Sequence, residues 1–125
     1  MTASLPGFER WLEAYAHEGR IAVLVEFAFE DPVSARTEEF RRFARDTALQ
    51  VTAMAPGSVA ELLQQECLKS HGTLVEESLQ AISALLGDRL HIVRFERWVA
   101  AVEPPAQGFE PPDSPANVIR FPQRA

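Results

Sequence analysis

The sequence predicts an α+β domain, and three observations predict it. Residues 20–29 alternate with period two and are rich in β-branched and aromatic side chains. Residues 40–55 carry an apolar stripe at helical spacing, and a second alternating run fills residues 89–101. A chain of 125 residues is the size of one domain with one core.

Taken in order, residues 9–17 (ERWLEAYAH) fit a short helix or a strand by periodicity alone. Glu18 and Gly19 then read as a hairpin turn, because glycine accepts a positive φ without a Cβ clash. In the next strand Ile21, Val23, Val25, Phe27 and Phe29 share one face, with Ala22, Leu24, Glu26 and Ala28 on the other. A sheet covered on one side by helices carries polar residues on the other side. Ala22 and Leu24 break that rule, so the second face is expected to meet something, a second copy of the chain being the natural candidate.

Asp31 and Pro32 begin a helix predicted over 32–55. An Asp at the N-cap accepts backbone N–H bonds, and proline suits the first helical position. Glu38 and Glu39 favour the positive end. Phe40, Phe43, Ala44, Thr47, Ala48, Val51, Met54 and Ala55 form the inner stripe, while Arg41, Arg42, Arg45 and Asp46 read as solvated. Pro56 and Gly57 stop it. Ser58, with Glu61 three residues on, caps a helix over 58–69, which His71 and Gly72 break. Thr73, with Glu76, caps another over 73–86, its inner side formed by Leu74, Val75, Ser78, Leu79, Ile82, Leu85 and Leu86 and its end by Gly87. The last strand places Val93, Phe95 and Val99 on one side, and Ile92, Arg94, Glu96 and Trp98 on the other. Beyond residue 102 the composition changes: residues 103–115 hold five of the nine prolines, and residues 117–122 (NVIRFP) form a small apolar cluster. The expected organisation is a core domain, 1–102, and a Pro-rich tail, 103–125.

Composition excludes several function classes. The net charge of −6 argues against a nucleic-acid or membrane-surface partner, since both favour a basic face. The longest apolar run, Ile21–Val25, is too short to span a bilayer, and the first residues show no secretory signal. A lone cysteine, Cys67, excludes an internal disulfide framework and fits a reducing cytosol. Cys67 and His71 are spaced to share a helix face as a thiolate–imidazole pair, but His71 precedes a helix-breaking glycine. His17, His71 and His91 lack metal-ligand spacing, and no Gly-rich phosphate loop or nucleophile elbow is present. Glu26, Glu30 and Asp31 look like paired carboxylates, yet a helix cap at Asp31 explains them better. No catalytic residue, cofactor or metal is expected, and the chain reads as a non-enzyme.

Residues 19–40 (GRIAVLVEFAFEDPVSARTEEF) resemble the core of translation elongation factor Ts, the exchange partner of the GTPase elongation factor Tu. In that family the strand reads roughly GRIGVLVE, the turn ETDFVART, and the following helix KDIAMHIAAMNP. Here residues 45–56 (RDTALQVTAMAP), 75–82 (VEESLQAI) and 87–98 (GDRLHIVRFERW) match the family's helices and closing strand in the same order. The resemblance makes residues near 10–17 the first of three antiparallel strands, with 20–29 and 89–101, under helices on one face. This is the elongation factor Ts dimerisation-domain arrangement. It also implies that the region after Ser58 abbreviates a longer insertion, and that the family's N-terminal ubiquitin-associated-like domain is absent.

What the resemblance implies about function centres on the turn. In the family the aromatic residue of the T-D-F-V turn wedges into the GTPase and promotes GDP release. An ungapped match sets Glu30, Asp31, Pro32 and Val33 against the family's E-T-D-F, so Val33 stands in place of the wedge and Pro32 in place of its acidic neighbour. Gln50 stands where the family helix has a histidine. Partner binding through Glu30, Asp31, Pro32, Val33 and Gln50, with weak or lost exchange, is the implied role. Homodimerisation through Ala22, Leu24, Ile92 and Trp98 is implied too, with Glu96 in place of the family's intersubunit cysteine. A homodimeric scaffold that no longer binds the GTPase is the alternative.

Overall fold

The computed structural model describes residues 7–100. Strands β1 (Glu9–His17), β2 (Ile21–Phe29) and β3 (His91–Val99) form one antiparallel sheet in that order, β2 in the centre. A 3₁₀ turn (Pro32–Arg36) and helices α1 (Glu38–Met54), α2 (Val59–Gln64) and α3 (Val75–Leu86) lie between β2 and β3. The α+β fold expected from sequence is the one present. The Pro-rich segment 103–125 lies outside the described residues.

The hairpin between β1 and β2 closes where expected. Glu18 (φ 53°) and Gly19 (φ 70°) both occupy left-handed backbone, and Arg20 N–H donates to His17 C=O at 2.9 Å. The register then sets Trp11 against Phe27 and Tyr15 against Val23, which aligns the inward positions of both strands. Residues 9–17 are thus settled as a strand by pairing, where their own periodicity was ambiguous.

Alternation along β2 decides which face is buried. Val23, Val25, Phe27 and Phe29 lie under α1 among Phe40, Phe43, Ala44, Ala48 and Val51. Phe40 is the hub: its ring meets Phe29 at 5.4 Å, Phe27 at 5.6 Å and Trp11 at 6.1 Å, in tilted or edge-on geometry. Arg41 lies over the outer face of Trp11, 4.5 Å from the ring centroid, and donates through Nε to Ala35 C=O.

The structure corrects several element boundaries. The helix expected over 32–55 is two elements, because Thr37 is extended (ψ 151°) and its Oγ1 accepts from Phe40 N–H. Asp31 caps only the 3₁₀ turn, accepting from Val33 N–H at 3.0 Å. Met54, expected inside, is exposed, and α1 ends on Ala55 in the left-handed region (φ 48°). The helix expected over 58–69 stops at Gln64, because Glu66 turns to bridge Leu74. Its predicted cap holds: Ser58 Oγ accepts from Glu61 N–H at 3.1 Å. The next helix starts after Leu74, whose N–H donates to Glu77, so Thr73 and Glu76 do not make the expected box. Leu85, expected inside, is exposed.

One register shift carries the largest correction. Arg94 pairs with Glu26, but Ile92 pairs with Phe27, leaving Val93 as an extra residue at a β-bulge. The bulge moves Ile92 into the core, where it is buried, away from the sheet face assigned to it from alternation.

Candidate functional site

The sharp turn that joins β2 to the 3₁₀ helix is held from below by one carboxylate. Asp88 follows Gly87, which ends α3 in left-handed backbone (φ 64°). That reversal delivers the buried Asp88 side chain beneath residues 30–34. Its Oδ1 accepts from Glu30 N–H at 3.0 Å, and its Oδ2 accepts from Asp31 N–H at 3.0 Å and from Ser34 Oγ at 2.6 Å. Arg89 closes the outer side through an ion pair with Glu30. Burial by itself raises the Asp88 pKa. The hydrogen bonds from Ser34 and from the N–H groups of Asp31, Glu30 and Arg89 outweigh burial, so the carboxyl lies below its ordinary value.

What the clamp displays is an exposed surface. Glu30, Asp31, Pro32 and Val33 are all exposed, and Val33 retains 56% of its accessible area. Four of the five partner-binding residues expected from sequence therefore stand together on one rigid turn. Asp88 and Arg89 escaped the sequence reading. The signal was available, an acidic residue directly behind a helix-ending glycine, but nothing local says what that residue holds.

Gln50, the fifth, stands apart from that turn. It is buried in α1, and its amide is consumed internally: Nε2 donates to Gln65 Oε1 at 3.1 Å and Glu66 C=O at 3.0 Å, and Oε1 accepts from Leu68 N–H at 3.0 Å. It staples the 65–68 segment to α1. The Cys67–His71 pairing has no helix to stand on, since α2 ends at Gln64; Cys67 Sγ lies 3.3 Å from Ser78 Oγ instead. Among the described residues no cluster of three or more His, Cys, Asp or Glu side chains is placed to hold a metal. No described helix is long and apolar enough to cross a membrane.

The uncovered sheet face carries the expected dimer residues except Ile92. Leu12, Leu24 and Trp98 are 58%, 42% and 72% exposed, with Ala22 directly opposite Trp98. Around Glu26, charge replaces oil: Arg94 Nε lies 2.7 Å and Arg10 Nε 3.7 Å from its carboxylate.

Fold and site together define a small α+β domain that displays a clamped turn at one end of its sheet. No protein-family model matches the chain. Curated proteins do. Elongation factor Ts of Rubrobacter xylanophilus is 38% identical over 97 residues, covering 71% of this chain and 48% of that protein. Elongation factor Ts of Thioalkalivibrio sulfidiphilus is 34% identical over 88 residues, covering 70% and 29%, and that of Finegoldia magna 40% over 70 residues, covering 54% and 31%. The chain carries an elongation factor Ts-like domain, and it spans about half or less of the length of these relatives.

Proposed function

We propose that this chain binds elongation factor Tu or a related translational GTPase in the cytoplasm through Glu30–Val33, as a binding protein rather than an enzyme, with weak or lost nucleotide exchange. The observation that carries the reading is the Asp88 clamp: four exposed residues are held in one conformation by a carboxylate far along the chain. A turn ordered before contact forfeits less entropy on binding. Val33 at its apex offers much less contact area than an aromatic wedge, which supports weak exchange.

The test is fluorescent GDP release from elongation factor Tu. The natural chain is expected to accelerate release little, and the double substitution Pro32→Asp, Val33→Phe to accelerate it more. Strong acceleration by the natural chain would refute the reading that this turn carries the deficit.

A second reading rests on a separate observation, the exposed Leu12, Leu24 and Trp98 on the free sheet face. We infer a homodimeric scaffold packed through that face, since an apolar sheet face in water is a liability. Sedimentation should show a dimer that Leu24→Glu converts to monomer; a natural chain that stays monomeric at high concentration sinks this reading.

A further inference from the structure

On the opposite side of the molecule a cavity of about 420 Å³ opens between the hairpin end, α1 and the loop before α3. Its walls are chiefly apolar, with Ile21, Phe43, Leu68 and Val75 among them, and Cys67 is exposed to it. In its wall the Asp46 carboxylate is ion-paired through Oδ1 with the Lys69 ammonium at 3.1 Å, and the side chain stays partly exposed. The site is therefore an apolar slot with one partly exposed carboxylate in its wall, which fits an apolar peptide segment carrying one cation.

The chain leaves the described fold at this cavity. Ala100 N–H donates to Arg20 C=O at 2.8 Å, directly beside Ile21 in the cavity wall. From there residues 101–125 follow, and they contain the apolar cluster NVIRFP at 117–122 with Arg120 in its middle. Seventeen or so extended residues reach roughly 60 Å, far more than the path from Ala100 to the cavity requires. We propose that residues 117–122 of the same chain seat in this cavity, with Ile119 and Phe121 on its apolar walls and Arg120 beside Asp46. The docking does not depend on GTPase binding. Tethering sets a local concentration on the order of 1 mM, so a docking Kd of ~0.1 mM keeps the cavity about nine-tenths filled.

Cys67 is the only cysteine in the chain and reports on the cavity. Its rate of modification by a thiol reagent is measured in the full-length protein and in the full-length double variant Ile119→Ala, Phe121→Ala. The variant is expected to react about tenfold faster, the ratio of local concentration to Kd. A synthetic peptide of residues 115–125 in excess should restore the slow rate, and Asp46→Asn should raise the rate part of the way. Both variants keep the core intact, which their melting curves check. Equal rates in natural chain and double variant overturn the proposal. Protection that vanishes on dilution also overturns it, since a second copy would then be the occupant.

Discussion

Removing the Asp88 carboxylate should loosen the fold as well as the turn. Asp88→Ala strands three donors at once: the N–H groups of Glu30 and Asp31 and the Ser34 hydroxyl. A hydrogen bond to a charged acceptor contributes about 1.5–3 kcal/mol, and a stranded buried donor costs about 1–3 kcal/mol. Glu30 and Asp31 are exposed, so water repairs part of the loss there, whereas Ser34 is buried. The net cost is about 2–4 kcal/mol, which for a domain of this size lowers Tm by on the order of 10–25 °C. Asp88→Asn should cost roughly half as much, because one oxygen survives while the amide NH₂ opposes an N–H donor. Thermal and denaturant unfolding measure both variants. The charge also gives the effect a pH signature. The folded-state pKa of Asp88 lies below the unfolded value, so its stabilisation is complete above the ordinary carboxylate range. It is lost as pH falls through the folded pKa. Acid should therefore narrow the gap between the natural chain and Asp88→Ala. An alanine variant that melts within about 3 °C of the natural chain, with an equal gap at every pH, would refute the clamp.

Two further substitutions probe the core and the staple. Phe40→Ala removes the ring shared by Phe27, Phe29 and Trp11 and should cost about 3–5 kcal/mol in denaturant unfolding; a loss under about 1 kcal/mol would mean the aromatic hub is not where the sheet and α1 are joined. Gln50→Leu keeps the volume but strands Leu68 N–H and Glu66 C=O, so it should cost about 2–3 kcal/mol and speed hydrogen exchange at Leu68; GTPase affinity that falls with stability unchanged would instead make Gln50 a contact residue.

The sequence by itself determined the elements whose signals are local. The period-two run of Ile21–Phe29, the helical stripe from Phe40 to Val51, the glycine turn at residue 19 and the cap at Ser58 all lie within a few residues of what they specify. Asp31 and Pro32 likewise marked from inside the point where the strand gives way to a helical turn, whereas Glu30–Val33 stood out as a site only through the resemblance to elongation factor Ts. The tertiary structure alone decided what depends on partners distant in the chain. Whether residues 9–17 were helix or strand was decided by pairing with β2, and Ile92 entered the core because a bulge against β2 reset the alternation. Gln50 became a staple only when the chain at 65–68 folded back on it. The same holds for Asp88, more than fifty residues beyond the turn it pins. A hydrogen bond across that separation leaves no periodicity and no motif in the sequence, because its geometry exists only after the sheet and helices have packed.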